Sequence, residues 1–313
     1  MRTPPKLAIP DSAALVSDEI RKLLRAAEVG NRLPTPKADI LQCTNLIETG
    51  ALDLRDYKLS RTQRVSELFY RAMGKLHGLL DRRAKLIYID PELHESKKNF
   101  VTYHEVTHKV LPWQNLQYTE DDDKSLSSEC ELQCECEANY GAAEILFQCD
   151  RFELEARDFE LSTASAGFLA ERFDASYHSS LRRFVERNHR PCALLVLKST
   201  KLLNPSGLTS FRISQVVQSS AFTLKFGSPF KSLFINPEED LGKILNSECT
   251  GEVKLKDEKS FSLECTVESF SNHYSRFALI YPKGTGGGRR KVVRAPKIAF
   301  DPRLIAMIVG AKR

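Results

Sequence analysis

The sequence predicts an α+β protein in three parts, and three patterns lead to this division. Residues 1–150 contain helix-forming segments around one compact strand-like run, residues 151–190 have the rhythm of two short helices joined by a turn, and residues 191–313 contain apolar runs separated by turn signals. We expect a helical first domain with a small sheet, a helical section of helix-turn-helix type, and a β-rich α+β C-terminal domain. With 313 residues, the chain is long enough to form more than one hydrophobic core.

The first domain is predicted to be mainly helical. Residues 17–29 form an amphipathic pattern that Gly30 closes, and residues 60–80 form a second helical segment. A β-branched and aromatic run at residues 85–90 then predicts a strand. The next helix is expected at residues 96–111, because Pro112 lacks a backbone N–H and restricts the residue before it.

This last helix carries the pattern H-E-x-x-H at His104, Glu105 and His108. Residues four apart lie about 40° apart around a helix, so both imidazoles project from the same side. Two imidazoles in this arrangement can hold one Zn²⁺, and a glutamate directly after the first histidine can act as general base on the attacking water. The pattern therefore predicts a zinc site. The alternative is an ordinary amphipathic helix whose histidines are solvated or hydrogen-bonded.

A catalytic zinc site needs a third protein ligand, and residues 129–146 offer two candidates. This segment has strong helix formers, no proline, and small residues that allow another helix to approach closely. Glu135 and Glu137 are two positions apart and point to nearly opposite sides, so only one can be the ligand. Glu135 is favoured, because Asn139 one turn further could hydrogen-bond a ligand histidine, whereas Glu137 is expected to be solvated.

Together these segments resemble the ImmA/IrrE metallopeptidases. The resemblance rests on H-E-V-T-H at 104–108 and on E-C-E-A-N-Y-G-A-A-E-I-L at 135–146, which is similar to the family pattern E-x-E-A-N-x-F-A-A-x-L-L. It implies a zincin-like domain with a gluzincin-like metal site. By this resemblance, the zinc ligands are His104, His108 and Glu135, and Glu105 is the base.

The sequence departs from the family pattern at three places. Thr107 stands where glycine is usual, Gly141 stands where phenylalanine is usual, and Phe147-Gln148 replaces an ending in Met or Leu followed by Pro. None of these changes removes a ligand. The larger side chain of Thr107 requires different packing beneath the zinc helix.

The resemblance also implies a biology. Members of the family are cytoplasmic proteins of bacteria or phages that cut a helix-turn-helix (XRE-type) repressor and release the genes it silences, including stress and mobile-element genes. IrrE-like members carry a C-terminal sensor-like domain that resembles a GAF domain, and the length of this chain suits that layout. The alternative is a DNA-binding or sensor regulator whose zincin domain does not cleave.

The helical section at 151–190 offers candidate contacts to nucleic acid. Arg172, Arg182, Arg183 and Arg187 could bind phosphates if this section were a DNA-reading helix-turn-helix. Charged residues on a solvated helix face are the commoner interpretation. The formal net charge of +5 permits a nucleic-acid partner without requiring one.

The C-terminal domain is predicted to contain strands at residues 192–197, 212–226, 254–267 and 276–281, with a flexible basic loop at 284–291. It is interpreted as a sensor or a substrate-recognition module. The sequence shows no signal peptide and no apolar run of membrane-spanning length, so the eight cysteines are expected to be reduced thiols in a cytoplasmic protein. Cys130, Cys134 and Cys136 are interpreted as small, partly buried helix residues, with oxidation sensing as the alternative.

Overall fold

The computed structural model describes residues 9–49, 78–82, 84–91, 93–117, 128–203, 208–256, 261–271 and 275–291. Its first part consists of five helices and a small sheet within these ranges, in agreement with the predicted fold class. The helices are α1 Ala13–Ala26, α2 Lys37–Thr44, α3 Glu95–Val110, α4 Pro112–Gln117 and α5 Ser128–Leu146. The strands are β1 Ile47–Thr49, β2 Gly78–Asp81 and β3 Leu86–Ile89. Among the described helices, none is long and apolar enough to cross a membrane.

The small sheet has the order β1-β3-β2, with β1 parallel and β2 antiparallel to β3. The strand predicted at 85–90 is confirmed as β3. Of the helix predicted at 60–80, residues 60–77 lie outside the described residues, and the last three positions are wrong. Gly78 to Leu80 pair with β3 in regular register, because glycine is a poor helix former and the neighbouring strand offers hydrogen bonds.

The residues that flank helix α3 determine where it begins and ends. The side chain of His94 accepts a hydrogen bond from the backbone N–H of Ser96 and so caps the first turn. The helix ends at Val110, and Leu111 takes an extended conformation before Pro112. Helix α3 packs closely against α5, which brings the H-E-x-x-H pattern next to the segment of the third ligand.

The two departures Thr107 and Gly141 meet at this packing surface. A Cβ atom built on Gly141 would lie 2.4 Å from Cγ2 and 2.9 Å from Oγ1 of Thr107. The threonine side chain therefore occupies the space that any residue larger than glycine would need at position 141. Its hydroxyl donates to the backbone carbonyl of Tyr103 at 2.7 Å. The two substitutions are complementary, and together they preserve the close approach of the helices.

The helical section consists of α6 Arg151–Ala156, α7 Thr163–Arg172 and α8 Tyr177–Glu186. Ser162 and Ser176 cap α7 and α8 by accepting from the N–H groups of Ser165 and Ser179. The predicted succession of helix, turn and helix is present, although α7 begins before residue 168. Helix α8 packs on the first two strands of the C-terminal sheet.

The C-terminal sheet is antiparallel and six-stranded, with the order β6-β5-β4-β9-β8-β7. Its strands are β4 Ala193–Leu203, β5 Thr209–Gln218, β6 Phe234–Ile235, β7 Thr250–Lys256, β8 Ser262–Ser271 and β9 Arg276–Pro282. Two helices accompany it, α9 Ser220–Phe226 and α10 Asp240–Ser247. The strand predicted at 212–226 is therefore only partly right, because Ser219 caps a helix that begins at Ser220.

The central strands of this sheet are buried on both faces. From β9, Phe277 and Leu279 belong to the core that includes helices α1 to α8, whereas Ala278 and Ile280 belong to a second core with α9 and α10. Strand β4 alternates in the same way. This burial explains the continuous apolar run at 192–197. One core thus spans the predicted boundaries at residues 150 and 190, and the division into three domains stays a prediction.

Candidate metal centre

The structure brings His104, His108 and Glu135 together between α3 and α5. The Nε2 atoms of the two histidines lie 3.1 Å apart. Nε2 of His104 lies 3.3 Å from Oε2 of Glu135, and Nε2 of His108 lies 3.4 Å from Oε1. With one ligand atom taken from each residue, the three atoms lie within 4.8 Å of one another. Glu135 is well exposed and His104 is partly exposed, so the cluster opens to solvent on one side.

The geometry and chemistry of this cluster fit zinc. Two imidazole nitrogens and one carboxylate oxygen are a ligand set of catalytic zinc sites, which keep a fourth position for water or substrate. A tetrahedral site with bonds of about 2.0–2.1 Å has donor-to-donor separations of about 3.3–3.4 Å. The observed nitrogen and oxygen separations of 3.1, 3.3 and 3.4 Å are close to this spacing.

The electrostatics of the cluster keep the third ligand in its anionic form. Hydrogen bonds with His104 and His108 hold the pKa of the Glu135 carboxyl well below its usual range, although partial burial acts in the opposite direction. Burial acts to lower the pKa of His108, but its hydrogen bonds with Glu135 and Gln114 outweigh this and raise it. The surroundings of His108 therefore favour positive charge at this position.

Glu105 lies beneath the cluster, against the small sheet. Its side chain is buried, and burial raises the pKa of its carboxyl, although the neighbouring histidines oppose the shift. A Cβ atom built on Gly78 of β2 would lie 3.2 Å from Oε1 of Glu105 and 2.3 Å from Cγ1 of Val101. The strand can approach this carboxylate only because residue 78 has no side chain. Sequence reasoning assigned position 78 to a helix and missed this contact.

The hydrogen bond that orients a ligand histidine comes from Gln114 of α4 and not from Asn139. Oε1 of Gln114 lies 2.8 Å from Nδ1 of His108, and the Gln114 side chain is completely buried. Asn139 is exposed on α5. No sequence pattern marks this role, because Gln114 follows the helix-ending Pro112 and reaches back from a separate short helix.

Glu137 was expected to be solvated, and that expectation is wrong. Its side chain is buried and accepts hydrogen bonds from four residues. Trp113 Nε1 donates to Oε2 at 2.8 Å and Gln114 Nε2 donates to the same oxygen at 2.7 Å. Ser12 Oγ donates to Oε1 at 2.6 Å and Gln133 Nε2 at 3.3 Å. Burial acts to raise the pKa of this carboxyl, but the four hydrogen bonds outweigh it and lower the pKa.

The arginines proposed as nucleic-acid contacts are engaged within the protein. Arg172 forms an ion pair with Glu155 and Arg182 lies 3.9 Å from Glu186. Arg183 is buried, and its Nη1 lies 2.7 Å from Oε1 of Glu144. A buried guanidinium cannot reach a phosphate, so Arg183 is excluded as a DNA contact in this conformation.

Tyr103, the residue directly before the H-E-x-x-H pattern, lies in the core. Its hydroxyl donates to the backbone carbonyl of Thr35 at 3.1 Å, away from the cluster, and burial raises the pKa of the phenol. Of the three cysteines near Glu135, Cys134 is buried, and burial raises the pKa of its thiol to about 11. A thiol with such a pKa is mostly protonated at neutral pH and reacts slowly with oxidants.

One family model matches the central part of the chain. Residues 64–184 match the Peptidase M78 family, described as the IrrE N-terminal-like domain. Curated protein sequences give no match. Among solved structures, a transcriptional regulator from Mycobacterium tuberculosis is similar over 84% of this chain and 80% of its own, at 12% identity and a TM-score of 0.38. A TM-score at this level does not establish a shared fold.

Proposed function

The chain carries an IrrE N-terminal-like domain of the Peptidase M78 family, and from this premise we propose that it is a zinc-dependent endopeptidase. The observation that supports this most directly is the cluster of His104, His108 and Glu135 beside a buried carboxylate at Glu105. The proposed ligands are the two histidines and Glu135. Zn²⁺ bound there would supply Lewis-acid chemistry, polarising a scissile carbonyl and acidifying a water.

In this proposal Glu105 moves the proton. Its carboxylate takes a proton from the attacking water and delivers it to the nitrogen of the leaving amine. Burial beneath β2 raises the pKa of Glu105, which suits a group that must both accept and release a proton. Gly78 keeps the strand in contact with this carboxylate and excludes water from its inner side.

The proposed substrate is a helix-turn-helix repressor in the cytoplasm, and its cleavage would release silenced genes. The resemblance to the ImmA/IrrE family supports this assignment. Direct DNA binding is the weaker candidate, because the guanidinium of Arg183 is buried and Arg172 is paired with Glu155. We therefore assign residues 151–190 to packing between the zinc-binding helices and the C-terminal sheet.

The C-terminal domain is proposed as a sensor or recognition module. A cavity of about 480 Å³ opens on the face of the sheet that carries α10. Its apolar lining includes Ile213, Phe230, Ile235, Leu241 and Val253. Mostly apolar cavities of this size are typical of sites for small molecules.

The test of the proposal compares Glu105→Gln with His104→Ala. The zinc-loaded protein is incubated with purified helix-turn-helix repressors encoded next to its gene, and fragments are identified by mass spectrometry. We expect Glu105→Gln to retain zinc and to lose about 10²–10⁴-fold in cleavage rate, because only the proton transfer is removed. His104→Ala should lose zinc as well. Cleavage by Glu105→Gln at the wild-type rate would refute the assigned mechanism.

A further inference from the structure

We propose that Glu137 and Gln114 form a positioning relay that fixes the tautomer of His108 and sets the affinity of the site for zinc. The proposal rests on the metal site described above, but it does not depend on peptide cleavage. The relay runs from the carboxylate of Glu137 through the amide of Gln114 to Nδ1 of His108, over distances of 2.7 Å and 2.8 Å. Gln114 and Glu137 are at most 1% exposed.

The chemistry of the partners determines the direction of every hydrogen bond in the relay. A carboxylate and a backbone carbonyl can only accept, so the Gln114 group that faces Glu137 Oε2 and the Cys134 carbonyl must be the donating NH₂. Oε1 of Gln114 must then face His108. Because that oxygen only accepts, Nδ1 of His108 must carry a proton, and Nε2 is the ring nitrogen that would bind zinc.

Two features show that Glu137 is held as a charged anchor. Four donors converge on its two oxygens, which offsets the cost of burying a carboxylate. One donor is Ser12, which stands at the N-cap of α1 but makes no capping hydrogen bond. Serine at that position normally serves the helix. Here its hydroxyl donates to Glu137 Oε1 across 125 residues of sequence, so the anchor also fixes α1.

The relay gives α5 two separate roles in the site. Glu135 faces the cluster, and Glu137 faces away from it into the core. Through Gln114, the second carboxylate reaches His108 from the opposite side of its ring. Partners that hold a ligand histidine in this way raise its basicity, and their loss typically weakens metal binding about 10–100-fold.

The experiment measures the zinc dissociation constant by competition with a chromophoric chelator. The proteins are wild type, Gln114→Leu, Glu137→Leu and the double variant, each checked for folding by circular dichroism. We expect each single variant to bind zinc about 10–100-fold more weakly. The double variant should bind no more weakly than Gln114→Leu, because Glu137 acts on the histidine only through Gln114. Independent structural damage would instead add in the double variant, and that result would overturn the relay.

Two controls keep the test decisive. Asn139→Ala changes an exposed residue of the same helix, so it should leave zinc affinity unchanged. Glu137→Gln can still accept from Gln114 and should bind more tightly than Glu137→Leu. If the leucine variants do not fold, ¹⁵N spectra of His108 in the zinc-loaded wild type provide the test. Zinc on Nε2 with a proton on Nδ1 supports the relay, and zinc on Nδ1 refutes it. A relay that passes with no cleavage of any repressor would refute only the proposed peptidase activity.

Discussion

The α3–α5 helix pair and the six-stranded sheet are specified by different kinds of information. In the helix pair, individual side chains have chemical partners. Two histidines face a glutamate, and a second glutamate accepts four hydrogen bonds. In the sheet, successive side chains of β4 and β9 are buried alternately in two cores, and the second of these cores consists of apolar side chains. A chemical requirement restricts a position to one or two residue types, whereas burial restricts it only to an apolar residue of suitable volume.

The two regions are joined by a buried ion pair. Glu144 lies on α5, nine positions after Glu135, and Arg183 lies on α8, which packs on the sheet. The arginine also donates to the backbone carbonyl of Cys149 at 2.9 Å, and Ser17 of α1 donates to Oε2 of Glu144 at 3.3 Å. This pair is a polar link between the α3–α5 helix pair and the sheet layer.

The largest expected effect comes from breaking this link. Glu144→Leu should lower the free energy of unfolding by about 3–5 kcal/mol, because it leaves Arg183 as an uncompensated buried charge. Arg183→Met should cost somewhat less, because Arg187 Nη2 still lies 3.7 Å from Glu144 Oε1. The double variant should lose less than the sum of the two, because it leaves no charge behind. Urea unfolding monitored by circular dichroism measures these values.

The exposed pair of Arg172 with Glu155 provides the matched control. Arg172→Ala should cost at most about 1 kcal/mol, because solvent screens an exposed ion pair. Equal losses for Arg172→Ala and Arg183→Met would contradict the proposed difference between the two pairs. The same variant tests the weaker functional candidate. If Arg172→Ala abolished binding of the protein to duplex DNA, these helices would have to be reassigned as a DNA-contacting element.

How well the sequence predicted the structure differs between the two regions. The three residues of the cluster could be selected in advance, because a metal site needs specific side chains at helical spacing. The roles of Gln114 and Glu137 could not, because Gln114 is separated from His108 by a helix end at Pro112. The facing argument favoured Glu135 over Glu137 as the ligand. It did not reveal that Ser12, far away in the sequence, lies beside it.

In the sheet, alternation predicted strands but not their ends. The pattern at 212–226 continues through Ser219, where a serine cap changes strand to helix without a change in hydrophobicity. The order of the strands could not be predicted either, because pairings such as β4 with β9 join residues more than 70 positions apart. Local sequence carries no record of such pairings.

The next effect tests whether the two regions unfold separately. Leu279 and Ile280 are both completely buried neighbours on β9, but Leu279 lies in the core shared with α1 to α8 and Ile280 lies in the core with α9 and α10. Truncation of either to alanine should cost about 2–5 kcal/mol. We expect Leu279→Ala to lower the urea concentration at which zinc is released, and Ile280→Ala to leave it near the wild-type value. Equal shifts would mean that both regions unfold as one unit.

The smallest expected effect concerns the contact between Thr107 and Gly141. Gly141→Ala places a Cβ atom where Thr107 lies, at 2.4 Å from its Cγ2. Overpacking of this kind typically costs about 1–3 kcal/mol. The helices must then separate slightly. We therefore also expect weaker zinc binding, because His104 lies on α3 and Glu135 lies on α5. Urea unfolding and chelator competition measure the two effects.

The same substitution in a second background distinguishes specific packing against Thr107 from a general effect of alanine on the helix. In a Thr107→Ala background the obstructing methyl and hydroxyl groups are absent, so Gly141→Ala should become nearly neutral or stabilising, because alanine also favours the helix. The double-mutant coupling should therefore be at least about 1 kcal/mol. If the effects of Thr107→Ala and Gly141→Ala on the free energy of unfolding were additive, the cost of Gly141→Ala would not depend on the Thr107 side chain. In that case the departures at positions 107 and 141 would be independent, and the α3–α5 contact would tolerate substitution as readily as the sheet does.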